Sequence, residues 1–207
     1  MERTNHHQTC TAFAGSRRIA TGDLGEVALK TKAWLDGGDL STVLVFDDAT
    51  SEPIELDLRG TADDVLRRLP QPAKGAEAGS VAISQNGENG DAPRSPGRPK
   101  LGVVAREVTL LPRHWEWLGS QPGGASVTLR KLVEAARRSN AEGDRLRQRR
   151  EATYRFMSAL AGNEAGFEEA TRALFAGDRK GFERSLVSWP ADVRDHARKL
   201  AAEAFPA

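Results

Sequence analysis

Residues 42–58 read TVLVFDDATSEPIELDL. Thr42 to Phe46 is an unbroken run of apolar and β-branched residues, the composition of a strand. Asp47 to Ser51 is short and polar, the composition of a turn. Ile54, Leu56 and Leu58 then alternate with Glu55, Asp57 and Arg59, the period of a strand with one face in water. Together the two runs predict a hairpin. Upstream, Asp23 is placed to cap a helix in which Leu24, Val27, Ala28, Thr31, Trp34 and Leu35 recur at helical spacing until Gly37-Gly38 stops it. Before that helix, TCTAFAGSRRI (residues 9–19) predicts a strand bent at Gly15. Downstream, Thr61 with Asp64 three residues on predicts a capped helix through Leu69. The order β-α-β-β-α makes residues 9–69 a small α+β domain.

Residues 70–96 are rich in Pro, Gly, Ser, Asn and Ala, with Val81 and Ile83 as the only large aliphatic side chains. So little apolar surface cannot offset the entropy of ordering, and a flexible linker is expected. Residues 97–140 predict a basic arm followed by strand, helix, sharp turn and helix. The strand is Val103–Leu111, Pro112 opens the first helix with Trp115 as a core anchor, and Pro122-Gly123-Gly124 stops it. Ser126 is expected to cap the next helix, whose apolar stripe is Val127, Leu129, Leu132, Val133 and Ala136. In residues 141–207 a helix over Arg145–Ala161 turns Leu146, Thr153, Tyr154, Phe156, Met157 and Leu160 to a core. Three short helices follow, divided at Gly177 and Pro190. The fold class is α+β with a mainly helical C-terminal half.

The net charge of +1 conceals an uneven distribution. Residues 1–91 carry 9 basic and 15 acidic side chains, net −6, while residues 92–150 carry 13 and 5, net +8. Residues 151–207 carry 8 and 9, net −1. A basic block between acidic or neutral flanks points to a polyanionic partner. The densest run, LRQRR (residues 146–150) with Arg145 before it, covers more than one side of a helix, so its arginines need not act together, and a solvated face or an ion pair with the acidic N-terminal domain accounts for it as well as a binding surface does. No apolar stretch is long enough to span a membrane and the N-terminus lacks a secretory pattern, so a cytoplasmic protein is expected. The single cysteine, Cys10, precludes an internal disulfide and reads as a small strand residue. No phosphate loop or nucleophile elbow occurs, Asp47-Asp48 lacks further ligands at cation-loop spacing, and His196 beside Asp192 and Asp195 reads as a helical surface ion pair. A protein that is not an enzyme, without cofactor, metal or small-molecule substrate, is expected.

The order from Val103 to Arg138 resembles the ribbon-helix-helix family of bacterial DNA-binding proteins. The resemblance implies that two chains pair their strands into one ribbon in the major groove of double-stranded DNA, hence a homodimer. It also implies that Gly124 and Ser126, at the N-terminus of the second helix, hold a phosphate. In one register Thr109 would face the groove together with Glu107, and in the other Arg106 would do so together with Val108 and Leu110, so neither presents the row of Arg, Lys, Asn or Gln that base reading requires. Arg130 and Lys131 lie a turn further on in the second helix. Pro96-Gly97-Arg98-Pro99-Lys100 resembles an AT-hook, in which Arg98 enters a narrow minor groove, with Lys100 beside it and Arg94 upstream. The functional expectation is a DNA-binding transcriptional regulator. The alternative is a protein-protein adaptor whose basic segment binds an acidic partner or its own N-terminal domain. Across the whole chain, TGDLGEVALKTKAWLD, VLVFDDATSEPIELDLRGTADDVLRRL and GRPKLGVVAREVTLLPRHWEWLGSQPGGASVTLRKLVEAARR look like one bacterial family known as domain of unknown function 2239. That likeness implies a bacterial protein whose halves belong together and implies no activity.

Overall fold

A computed structural model of the chain describes residues 9–69, 104 and 106–206. The elements are β1 (Thr9–Ala14), β2 (Arg17–Asp23), α1 (Leu24–Asp36), β3 (Val43–Asp47), α2 (Ala62–Arg68), α3 (Pro112–Ser120), α4 (Gly124–Ala161), α5 (Phe167–Ala176), α6 (Arg179–Ser185) and α7 (Ala191–Ala201). They form an α+β fold of two compact units, one from residues 9–69 with 139–206 and one from residues 104 and 106–138. The expected domain 9–69 and the expected helical region 141–207 therefore share a unit, while the expected linker 70–96 lies outside the described residues.

In the larger unit a three-stranded antiparallel sheet has the order β2-β1-β3. The sheet is covered on both faces, which is why β1 is buried along almost its whole length. Cys10, Ala12, Ala20 and Val45 turn to one face and pack with Val27 of α1. Phe13 and Phe46 turn to the other and join Phe156 and Met157 of α4, Leu174 of α5, Phe182 of α6 and Val193 and Leu200 of α7. The run Val43–Phe46 is apolar without alternation for the same reason: each neighbour faces a different core. Three aromatic contacts seal the larger one, with Phe13 5.3 Å from Phe156, Phe46 5.5 Å from Phe156 and Phe182 5.5 Å from Phe205.

Local capping follows the sequence closely. Asp23 accepts the Glu26 N–H at 3.0 Å and starts α1, and Thr61 and Asp64 complete a reciprocal capping box on α2. Pro112 opens α3, and the C-terminal helices part at Gly177, in a left-handed conformation, and at Pro190.

Strand pairing departs from the expectation. The single bent strand over residues 9–19 is a hairpin, because Gly15 at φ 55 reverses the chain between β1 and β2. Residues 54–58 form no ladder with β3. The pairing observed is one bridge, Phe46 to Pro53, with two bonds, from Ile54 N–H to Val45 C=O at 2.7 Å and from Asp47 N–H to Glu52 C=O at 3.0 Å, while β3 makes its ladder with β1 on the opposite edge. Of the expected strand Val103–Leu111, the described residues 104 and 106–111 lie in no strand and pair with none of the described strands. The helices expected from Ser126 and from Arg145 are one, α4, of 38 residues. It begins at Gly124, so Ser126 lies inside its first turn rather than at its cap.

Candidate nucleic-acid interface

The smaller unit presents the segment that carries the basic excess. After Leu111, whose backbone is extended, Pro112 fixes the backbone angle suited to a first helical turn and α3 runs to Ser120. The helix closes on itself, with the Ser120 hydroxyl donating to the Trp117 carbonyl at 2.8 Å and the Gln121 N–H to the Leu118 carbonyl at 3.3 Å. The reversal into α4 needs glycine twice. Gly123 and Gly124 have φ of 90° and 72°, and a Cβ on Gly123 would lie 3.1 Å from the Val127 side chain.

Arg106, Thr109, Ser126, Arg130 and Lys131 are exposed, and Gly124 is half-buried. Arg106, Arg130 and Lys131 pair with no described carboxylate, and the same holds for the exposed Arg113 at the start of α3, which the sequence reading passed over. Its signal was a basic residue beside a helix-opening proline. Arg137 and Arg138 share Glu134, at 3.3 and 3.4 Å. Glu107 is exposed next to Arg106. Arg94, Arg98 and Lys100 lie outside the described residues.

The same unit buries few large apolar side chains. Among its described residues Leu118 is buried, whereas Val104, Val108, Leu111, Trp115, Trp117, Leu132 and Val133 are exposed. Trp115, expected as a core anchor, is 43 % exposed and Trp117 is 51 % exposed. Leu118, one turn of helix from both Trp115 and the chain reversal, takes the buried position.

The LRQRR run belongs to the other unit and is largely committed there. Arg147 bonds Asp144, Arg149 meets Glu203 at 3.1 Å, and Arg150 donates to the carbonyls of Ala204 and Phe175 at 2.9 and 3.3 Å. These arginines tie α4 to the C-terminal segment. Tyr154, expected in the core, is 40 % exposed against Phe167 and Phe175.

The family described as "Uncharacterized protein conserved in bacteria (DUF2239)" matches residues 9–201. The chain belongs to that family. No curated protein and no solved structure matches it. In this DUF2239 chain, no helix among the described residues is long and apolar enough to cross a membrane.

Other polar groups singled out in the sequence are placed as follows. His196 is not a surface ion-pair partner: it is 1 % exposed, with ring centroids 4.6 Å from Phe156 and 5.4 Å from Phe13 and neither nitrogen hydrogen-bonded. Burial lowers its pKa to about 4. Asp192 instead accepts the Arg18 N–H at 2.9 Å, and Asp195 pairs with Arg194 and Arg198. The signal for His196 was its spacing, since Val193, His196, Ala197 and Leu200 fall on one helical stripe. The Cys10 thiol is buried and pushed up to about 11, by burial first and then by Asp48, Asp47 and Asp23. Asp47 caps its own turn, accepting the N–H groups of Ala49 and Thr50 at 2.8 Å, and Asp48 accepts from Thr11 at 2.6 Å and Lys199 at 3.0 Å. Among the described residues no three His, Cys, Asp or Glu side chains gather as a metal site would require.

Proposed function

We propose that the chain is a DNA-binding protein, a regulator of transcription, that meets double-stranded DNA through the unit of residues 104–138 as a homodimer. The carrying observation is that this unit joins four exposed cations free of described carboxylate partners, Arg106, Arg113, Arg130 and Lys131, to residues 106–111, which lie in no helix or strand.

Two physical arguments support the dimer. The seven exposed large side chains offer on the order of 700 Å² of surface, close to the ~800 Å² that each partner buries in a stable interface. Pairing two copies of residues 106–111 would also give their backbone groups the partners that a single chain lacks. Around such a pair, the first turn of α4, at the positive end of the helix dipole, favours a phosphate oxygen.

Glu107 beside Arg106 sets the character of the binding. A carboxylate at the groove face is repelled by phosphates, so cation-phosphate contacts carry the affinity and base reading contributes less. Binding of the full chain to a labelled duplex is therefore expected to weaken steeply with salt, with a slope of about −0.9 per phosphate contacted. Arg130→Ala, removing one contact per subunit, is expected to reduce that slope by about two for a dimer. No binding at low salt, or binding indifferent to salt, overturns the proposal.

A further inference from the structure

Every residue of α4 from Arg130 to Gly143 is exposed, about four turns of one helix. The stretch includes Ser139, Asn140 and Gly143, which favour a helix poorly, and helices in proteins draw most of their stability from packing one face. Here the sequence supplies such a face. Leu129, Leu132, Ala136, Ser139, Gly143 and Leu146 follow one another at alternating spacings of three and four. That spacing keeps them on one line along the helix, the seam of a two-stranded coiled coil. No charged residue falls on the line, although eight of the eighteen residues from Leu129 to Leu146 are charged. The line stops at Arg150, the next seam position, whose guanidinium is held by the carbonyls of Ala204 and Phe175.

The residues that flank the seam decide which helix fits against it. In a parallel pair of identical helices, a residue on one flank meets the residue five positions on in the other copy. Thr128 would meet Val133, Ala135 would meet Asn140, and Glu142 would meet Arg147. None of these pairs joins like charges, and the last joins opposite ones and occurs twice by symmetry. Glu142 is exposed and pairs with no cation among the described residues, while Arg147 bonds Asp144 of its own helix at the surface. An antiparallel pair would set Glu142 against Ala135 and Thr128 against Arg149, which already meets Glu203, and so would gain no ion pair. Charge therefore favours the parallel arrangement. Ala136, Ser139 and Gly143 let the two helices approach closely, and the leucines towards either end supply the apolar contact.

We infer that α4 pairs, parallel and in register, with α4 of a second copy of this chain along the line from Leu129 to Leu146, with Glu142 of each copy against Arg147 of the other. The inference rests on the homodimer proposed above and adds to it a contact that needs no DNA. Leu132→Cys and Gly143→Cys each place a thiol on the seam, opposite its own copy, and Glu134→Cys places one on the far side of the helix. The native Cys10 is buried. Under mild oxidation of the full chain, the first two variants are expected to give a disulfide-linked dimer, and Glu134→Cys and the unsubstituted chain to give none. All three positions are exposed, so circular dichroism is expected to show an unchanged fold. Glu142→Arg sets like charges across the flank and is expected to raise the dimer dissociation constant in sedimentation by about three- to tenfold. Glu142→Arg combined with Arg147→Glu is expected to restore it. A dimer in sedimentation that cross-links at neither Leu132→Cys nor Gly143→Cys overturns the inference and leaves the DNA reading standing. Cross-links that form only when the Leu132→Cys and Gly143→Cys chains are mixed overturn it in favour of an antiparallel pair. Cross-links at both positions in a chain that binds no duplex support it and overturn the DNA reading alone, whereas a monomer overturns both.

Discussion

His196 shows how much one side chain's surroundings decide. Its ring sits between Phe13 and Phe156, and the charges that bear on it are Asp48, which favours protonation, and Lys199 and Arg18, which oppose it. Burial dominates, so the folded chain binds a proton at His196 only near pH 4 whereas the unfolded chain does so near 6.5. For a base with a depressed folded pKa, the unfolded state takes up more protons between those values, so stability is complete above about 6.5 and declines as pH falls towards 4. The loss amounts to roughly 3 kcal/mol by pH 4. Urea unfolding between pH 7 and pH 4 is expected to show this decline, and His196→Leu is expected to flatten it. An unchanged slope in the variant would assign the acid sensitivity elsewhere. Phe156, which touches both Phe13 and Phe46, joins the sheet to the helices. Phe156→Ala is expected to cost about 3–5 kcal/mol of unfolding free energy. Phe156 was legible as a core residue from its helical spacing, whereas His196 was not: a histidine among Asp, Arg and Lys reads as surface until its helical stripe is traced through Val193, Ala197 and Leu200.

Elements whose ends are fixed by their own side chains were legible in the sequence, and those whose limits depend on neighbours were not. Asp23, Thr61 and Pro112 act within one turn, so the starts of α1, α2 and α3 follow from local chemistry. Thr61→Ala is expected to lower stability by about 1 kcal/mol in denaturant titration, because its hydroxyl no longer accepts the Asp64 N–H or donates to the Asp64 carboxylate. Helix α4 is the opposite case. Asn140 to Gly143 reads as a break, yet the helix passes through it. A Cβ at Gly143 would meet nothing within 4 Å, so Gly143→Ala is expected to stabilise the chain by about 0.5–1 kcal/mol and to raise helicity in circular dichroism. Strand pairing failed for a related reason. The sequence places Ile54, Leu56 and Leu58 at strand spacing, but which strand lies beside β3 depends on a choice among partners distant in the chain.

At the scale of the whole molecule, sedimentation of the full chain is expected to show a dimer, and Val108→Asp, which puts a charge among the exposed apolar side chains of residues 104–133, is expected to shift it to monomer. A monomer in the unsubstituted chain would remove the ribbon reading. The basic excess of residues 92–150 is fixed by composition, but the structure divides it: Arg106, Arg113, Arg130 and Lys131 face solvent, while Arg149 and Arg150 hold the C-terminal segment. By itself, the amino-acid order determined the α+β class, the caps Asp23 and Thr61, the helix breaks at Gly177 and Pro190 and the location of the positive charge, because each depends on neighbours within a few residues. Only the tertiary structure decided that β1 lies between β2 and β3, that the sheet and the C-terminal helices enclose one core, and that Thr31 and His196 are buried without hydrogen bonds. Those outcomes arise from contacts between residues far apart in the chain, where burial on a second face overrides what any local pattern records.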